Sequence, residues 1–131
     1  MALYGPVALP AQTAAGATSI TVVGTVLPQD GQGSGVSGVL LTPPAAYTTV
    51  TGVATNNATF NVRQVRAAAS LGVIATVTLV SGTNLVAETP LTVPITASFA
   101  VQSGDIFDVQ MVQNGTGLAV NIGVLAEVAV N

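Results

Sequence analysis

The chain contains no cysteine, no histidine, no lysine and no tryptophan, and its only cationic side chains are Arg63 and Arg66. Each absence removes a class of chemistry. Without cysteine there is no disulfide framework, so stability has to come from packing, hydrogen bonds and association. Without histidine or cysteine there is no Ser-His-Asp or Cys-His arrangement and no ordinary zinc site. Without lysine there is no Schiff base and no Walker-type phosphate lysine. These absences point to a protein that is not an enzyme, with no catalytic residue, no cofactor and no metal site.

Charge of either sign is scarce. Charged side chains occupy 5% of the 131 positions and the net charge is −3, against about 25% charged residues in typical soluble domains. Two arginines cannot build the cationic stripe that a phosphate backbone requires, which argues against nucleic acid as a partner. Mean hydropathy is high at +0.71, yet no apolar run approaches the ~18 residues of a spanning helix. The nearest stretch, 117–130, carries Asn121 and Glu127 and alternates like a strand. The N-terminal stretch lacks the positive charge of a secretory leader and is interrupted by Pro6 and Pro10, so neither export nor membrane insertion is expected.

What the chain does have is strand chemistry. Valine and threonine together fill 39 of the 131 positions, among scattered glycine and proline. Strands are expected over 19–26, 39–42, 46–54, the region of Ala58–Val65, 73–80, 91–96, 105–112 and a long final strand in which Leu118, Val120, Ile122, Val124, Ala126, Val128 and Val130 share one face. Pro94 suggests an edge or a bulge in its strand, and Asn114-Gly115 is a strong turn signal. The stretch 63–71 is tempting as a helix but short enough to be a hairpin connection. The expected architecture is a single all-β domain over 19–131, an antiparallel β-sandwich of about eight strands and jelly-roll-like, with an immunoglobulin-like sandwich as runner-up. Residues 1–18, rich in Ala, Gly and Pro and without periodicity, read as an extended N-terminal arm.

Two motifs are set aside. "GSGVSG" (33–38) fits G-x-G-x-x-G, but Pro43 and Pro44 follow too soon for the helix that a dinucleotide site needs, and no acid stands at the required distance. Asn57-Ala58-Thr59 and Asn114-Gly115-Thr116 are glycosylation sequons of a kind expected by chance in a chain this rich in Asn and Thr. Asp105 and Asp108, three apart, face opposite ways on a strand and do not make a close acid pair. Glu88 and Glu127 could meet an Asp in space as a glycosidase-like pair, although no Trp or polar cluster suggests a sugar groove.

The two arginines pose a sharper question. Arg63 shares the polar face of its strand with Thr59 and Asn61, whereas Arg66 has the parity of Phe60 and Val62 and is expected at the strand end. Each should find a carboxylate. Either the pair is an ordinary surface one, contributing about 0–1 kcal/mol, or Arg63 or Arg66 orients a subunit interface with Asp105 or Asp108 as partner. The low total charge suits the second option, since a face of Val, Ala, Thr and Gly is easier to understand when a neighbour covers it.

The phrases "NATFNVRQV" (57–65), "VIATVTLVSGTNLVAETPLTV" (73–93) and "FAVQSGDIFDVQMVQNGTGLA" (99–119), followed by the alternating C-terminal strand, resemble small β-rich structural proteins of tailed bacteriophages, in particular head decoration (cement) proteins. The likeness covers about residues 56–130 and consists of strand and turn phrases. It implies a virion protein on the capsid exterior, a homotrimer bound to the major capsid protein and bridging neighbouring capsomers. An arm over Met1 to Thr18 would then lie on a shell subunit or a neighbouring protomer, with Leu3, Tyr4, Pro6, Val7 and Leu9 as anchors and Tyr4 as the hot spot by residue type. The alternatives are a tail or fibre domain binding a cell-surface receptor or glycan, and a cell-envelope structural subunit.

Overall fold

The computed structural model describes residues 2–27 and 35–131. It is all-β, with strands β1 (Ala2–Ala8), β2 (Ser19–Thr25), β3 (Val36–Thr42), β4 (Asn57–Arg66), β5 (Ala69–Leu79), β6 (Leu91–Thr92), β7 (Ile106–Asn114) and β8 (Leu125–Val130). They form two four-stranded antiparallel sheets, β1-β8-β3-β6 and β2-β7-β4-β5. The pairing is nested: first strand with last, second with seventh, third with sixth, fourth with fifth. Two further ladders, β3 on β8 and β4 on β7, complete the sheets.

Period-2 alternation explains which side chains fill the space between the sheets. Phe60 and Val62 from β4, Phe107, Val109 and Met111 from β7, Val39 and Leu41 from β3, and Ala126, Val128 and Val130 from β8 are all buried in one cluster. Such a core supplies the driving force, at about 25 cal/mol for each Å² of apolar surface withdrawn from water.

The connection read ambiguously at 63–71 is a tight hairpin. Arg66 pairs with Ala69, and the two loop residues Ala67 and Ala68 have φ of 52° and 63°. Positive φ at both positions is the type I′ geometry whose twist matches the flanking strands.

Four expectations need correction. The N-terminal segment is not an arm: β1 is hydrogen-bonded to β8 at the edge of its sheet. Leu9 N–H donates to Val124 O (2.8 Å), and Gln12 and Val120 exchange two backbone bonds of 2.8 Å. The periodicity is hidden because the ladder shifts between Tyr4 and Val7. Gly5 has φ +91° there, and a Cβ on it would lie 2.5 Å from Ala126 O, so the bulge requires glycine. Pro6, lacking an N–H, is tolerated at an edge bulge.

Residues 46–54 form no strand; a single bridge ties Val50 to Leu85. The segment 91–96 shortens to two strand residues, consistent with Pro94, although Thr76 N–H still donates to Pro94 O (3.1 Å). The final strand is regular only over Leu125–Val130, and Ile122 lies 69% exposed on a turn beside Gly123, whose φ is +107°. Of "GSGVSG", Gly33 and Ser34 lie outside the described residues, while Val36 to Gly38 run in β3.

Candidate functional site

Both arginines stand on β4 and both anionic partners lie at or just before β7, its hydrogen-bonded neighbour. Arg63 is directly opposite Asp108 in the ladder. Its Nε donates to Oδ1 at 2.9 Å and an η nitrogen donates to Oδ2 at 2.7 Å, a bidentate fork on the outer face of the sheet. Asp108 holds the Arg63 guanidinium above its ordinary pKa, chiefly through this hydrogen bond.

Arg66, at the end of β4, has inner-face parity. Its side chain reaches past the rim of the core to Asp105, with Nε on Oδ1 and an η nitrogen on Oδ2, both at 2.8 Å. The same η nitrogen donates to Ala100 O at 3.0 Å. Asp105 is fully buried and accepts further bonds from Gln64 Nε2 (2.8 Å) and Gln102 N–H (3.0 Å). The Arg66 hydrogen bond, helped by Gln102 and Gln64, outweighs the cost of burial and lowers the Asp105 carboxyl to about 2.

These pairs close within one chain, and each guanidinium commits its fork to its own β7 region. Together they clamp the end of β4 to residues 100–108. Gln64, fully buried on β4, belongs to the same cluster through Asp105, and sequence reasoning passed over it because its inward parity disagrees with its polarity.

The expected anchors of the N-terminal segment divide. Tyr4 (8% exposed) and Leu9 (2%) are core residues, with the Tyr4 ring tilted against Phe107 at 5.3 Å between centroids. Val7 is half-buried, and Leu3 and Pro6 face outward. An uncharged polar ladder also escaped the sequence reading. Asn114 Nδ2 donates to Asn57 Oδ1 (2.7 Å) and to Thr59 Oγ1 (2.9 Å), Thr59 and Thr78 hydroxyls meet at 2.8 Å, and the Thr76 hydroxyl donates to Asn61 Oδ1 (2.7 Å). The two sequon asparagines are thus bonded to one another across β4 and β7. The signal available was the run of Thr and Asn at outward parity on β4, β5 and β7.

Glu88 is exposed in a loop, and Glu127 lies on the outer face of β8. Among the described residues no three acids gather where they could hold a metal ion, and no pocket opens. The surface instead carries large apolar side chains: Leu3, Ile20, Val22, Leu27, Leu40, Val53, Ile95 and Ile122 are exposed. No family model matches the chain, and no curated protein or solved structure matches it either.

Proposed function

We propose that this chain is a structural virion protein, a decoration (cement) protein that binds the outside of a tailed-phage head and stabilises it by bridging neighbouring capsomers as a homotrimer. The observation that carries the reading is the surface. Eight large apolar side chains are exposed among the described residues, in a chain with seven charged side chains. Four of those charges are neutralised in two internal pairs. A free monomer of this size relies on abundant mixed charge to stay dispersed, whereas a subunit whose faces are covered by neighbours does not.

The strand order supports the finer architectural reading, a jelly roll. Nested pairing of β1 with β8, β2 with β7, β3 with β6 and β4 with β5 is what a long hairpin produces when it folds over into two four-stranded sheets. The phage likeness of residues 56–130 supplies the biological setting. A sandwich with no pocket among its described residues suits a role in which faces, not clefts, make the contacts.

Quantitative mass spectrometry of particles purified from the source, measured against the main shell subunit, tests the proposal. Hundreds of copies in a simple ratio to that subunit are expected. A handful of copies would transfer the chain to the tail or fibre, and none would end the virion reading.

A further inference from the structure

The outer face of the sheet β1-β8-β3-β6 combines apolar surface with a charge, Glu127, that no described residue answers. Across β8 the register sets Leu3 beside Ala129, Leu40 beside Glu127, and Ala8 beside Leu125. These six share the outward parity, since Val128 and Ala126 between them are buried. Leu3 is 64% exposed and Leu40 36%. Glu127 sits at the centre, half-buried, with Leu40 on one side and the Gly5–Pro6 bulge on the other.

Glu127 has no hydrogen bond or ion pair among the described residues, and the chain has no side-chain cation left to give it. Arg63 and Arg66 are its only two, and both are engaged bidentately on the opposite sheet. A carboxylate half-withdrawn from water in an apolar setting is costly unless a positive group answers it. A second copy brings no free side-chain cation either, since its Arg63 and Arg66 are engaged in the same two pairs, and a two-fold contact through this face would set carboxylate near carboxylate. The complementary surface must carry its own cation.

We infer that this face docks a different protein, through a surface on which a lysine or arginine side chain is ringed by aliphatic groups and meets Glu127. The inference rests on the decoration reading and deepens it, since it assigns the shell-facing side of the sandwich and the chemistry of the shell surface beneath it. Apolar contact around Leu3, Leu40 and Leu125 excludes water from the pair, and the single charge sets orientation.

The test uses particles that lack this chain, prepared from a deletion strain, and measures binding of the full-length protein to them. The variants are Glu127→Gln, Glu127→Arg and, on the outer face of the other sheet, Thr78→Arg. Wild type and Thr78→Arg should bind alike. Glu127→Arg should weaken binding by about tenfold or more, and Glu127→Gln should weaken it less and flatten its dependence on salt. Both Glu127 variants should share the wild-type thermal melt, because Glu127 has no partner among the described residues to lose, whereas Thr78→Arg gives up the Thr59 hydroxyl contact and is read by binding alone. Equal binding by Glu127→Arg and wild type overturns the inference, as does loss of binding in Thr78→Arg alone. Loss of self-association in Glu127→Arg, seen by sedimentation, overturns it too by making the face a contact between copies. Failure of wild type to bind the particles at all would instead remove the decoration reading, and this inference with it.

Discussion

At the scale of single residues, the buried carboxylate of Asp105 governs the response to acid. Its pKa in the folded protein is about 2, below the ~3.9 of an unfolded aspartate. A depressed value means that the folded state binds the proton less readily than the unfolded one. The stabilisation is therefore complete above about pH 4 and is lost as pH falls through 2. About two units of depression correspond to roughly 2–3 kcal/mol. Thermal melts of the wild type should fall across that window. Asp105→Asn should melt lower at neutral pH, because Arg66 loses its ionic partner, and the difference from wild type should shrink steadily below pH 4. An unchanged difference at pH 2 would mean that the Arg66–Asp105 pair is not the source.

The elements show where local rules and long-range pairing disagree. The β4–β5 turn places two alanines at positive φ, a conformation that costs an L-residue roughly 1–2 kcal/mol each and that Asn-Gly adopts far more readily. The double change Ala67→Asn with Ala68→Gly is expected to raise the melting temperature by a few degrees, readable by calorimetry. A lower value would show that the turn geometry is wrong. The N-terminal strand offers a second test. As an arm it would contribute nothing to the stability of the domain; as an edge strand with Tyr4 against Phe107, it contributes core. Tyr4→Ala is therefore expected to destabilise the protein by about 3 kcal/mol in urea unfolding, and an unaltered midpoint would restore the arm.

Those elements also mark how far the sequence could be read. β7 and most of β4 and β5 are legible because their side chains alternate and β7 runs into the Asn114-Gly115 turn signal, whereas the 67–68 turn is not, since two alanines carry no turn signal. β1 is not, because the Gly5–Pro6 bulge puts Tyr4 and Val7 on the same side and erases the period of two. Residues 46–54 have the composition of a strand but no sheet position to occupy beyond the bridge to Leu85. Ile122 keeps the alternating phase of its neighbours, and the turn at Gly123 takes it out of the core all the same.

For the molecule as a whole, the nested pairing makes closure depend on the two ends of the chain. β1 cannot find β8 until nearly the whole sequence is available, and loop closure over such distances must precede the contacts that reward it. Refolding is thus expected on the millisecond-to-second scale of non-local β proteins rather than in microseconds. Stopped-flow fluorescence through the two tyrosines would check it, and a microsecond phase carrying the full amplitude would contradict the topology. The same closure ties both termini into one sheet, whose outer face carries Leu3, Leu40 and Glu127, while the two arginine pairs lie with the other sheet.

Composition and alternation are local properties, so the sequence by itself determined that the chain is all-β, poor in charge and without histidine, cysteine or lysine. It also determined that Arg63 and Arg66 differ in facing, because parity along a strand is a matter of counting. Only the tertiary structure decided that residues 2–12 close the sandwich, that Arg63 takes Asp108 and Arg66 takes Asp105, and that Glu127 meets no partner among the described residues. Each of those depends on which distant strands lie side by side and on where a bulge shifts their register, and neither is written in any one stretch of the chain.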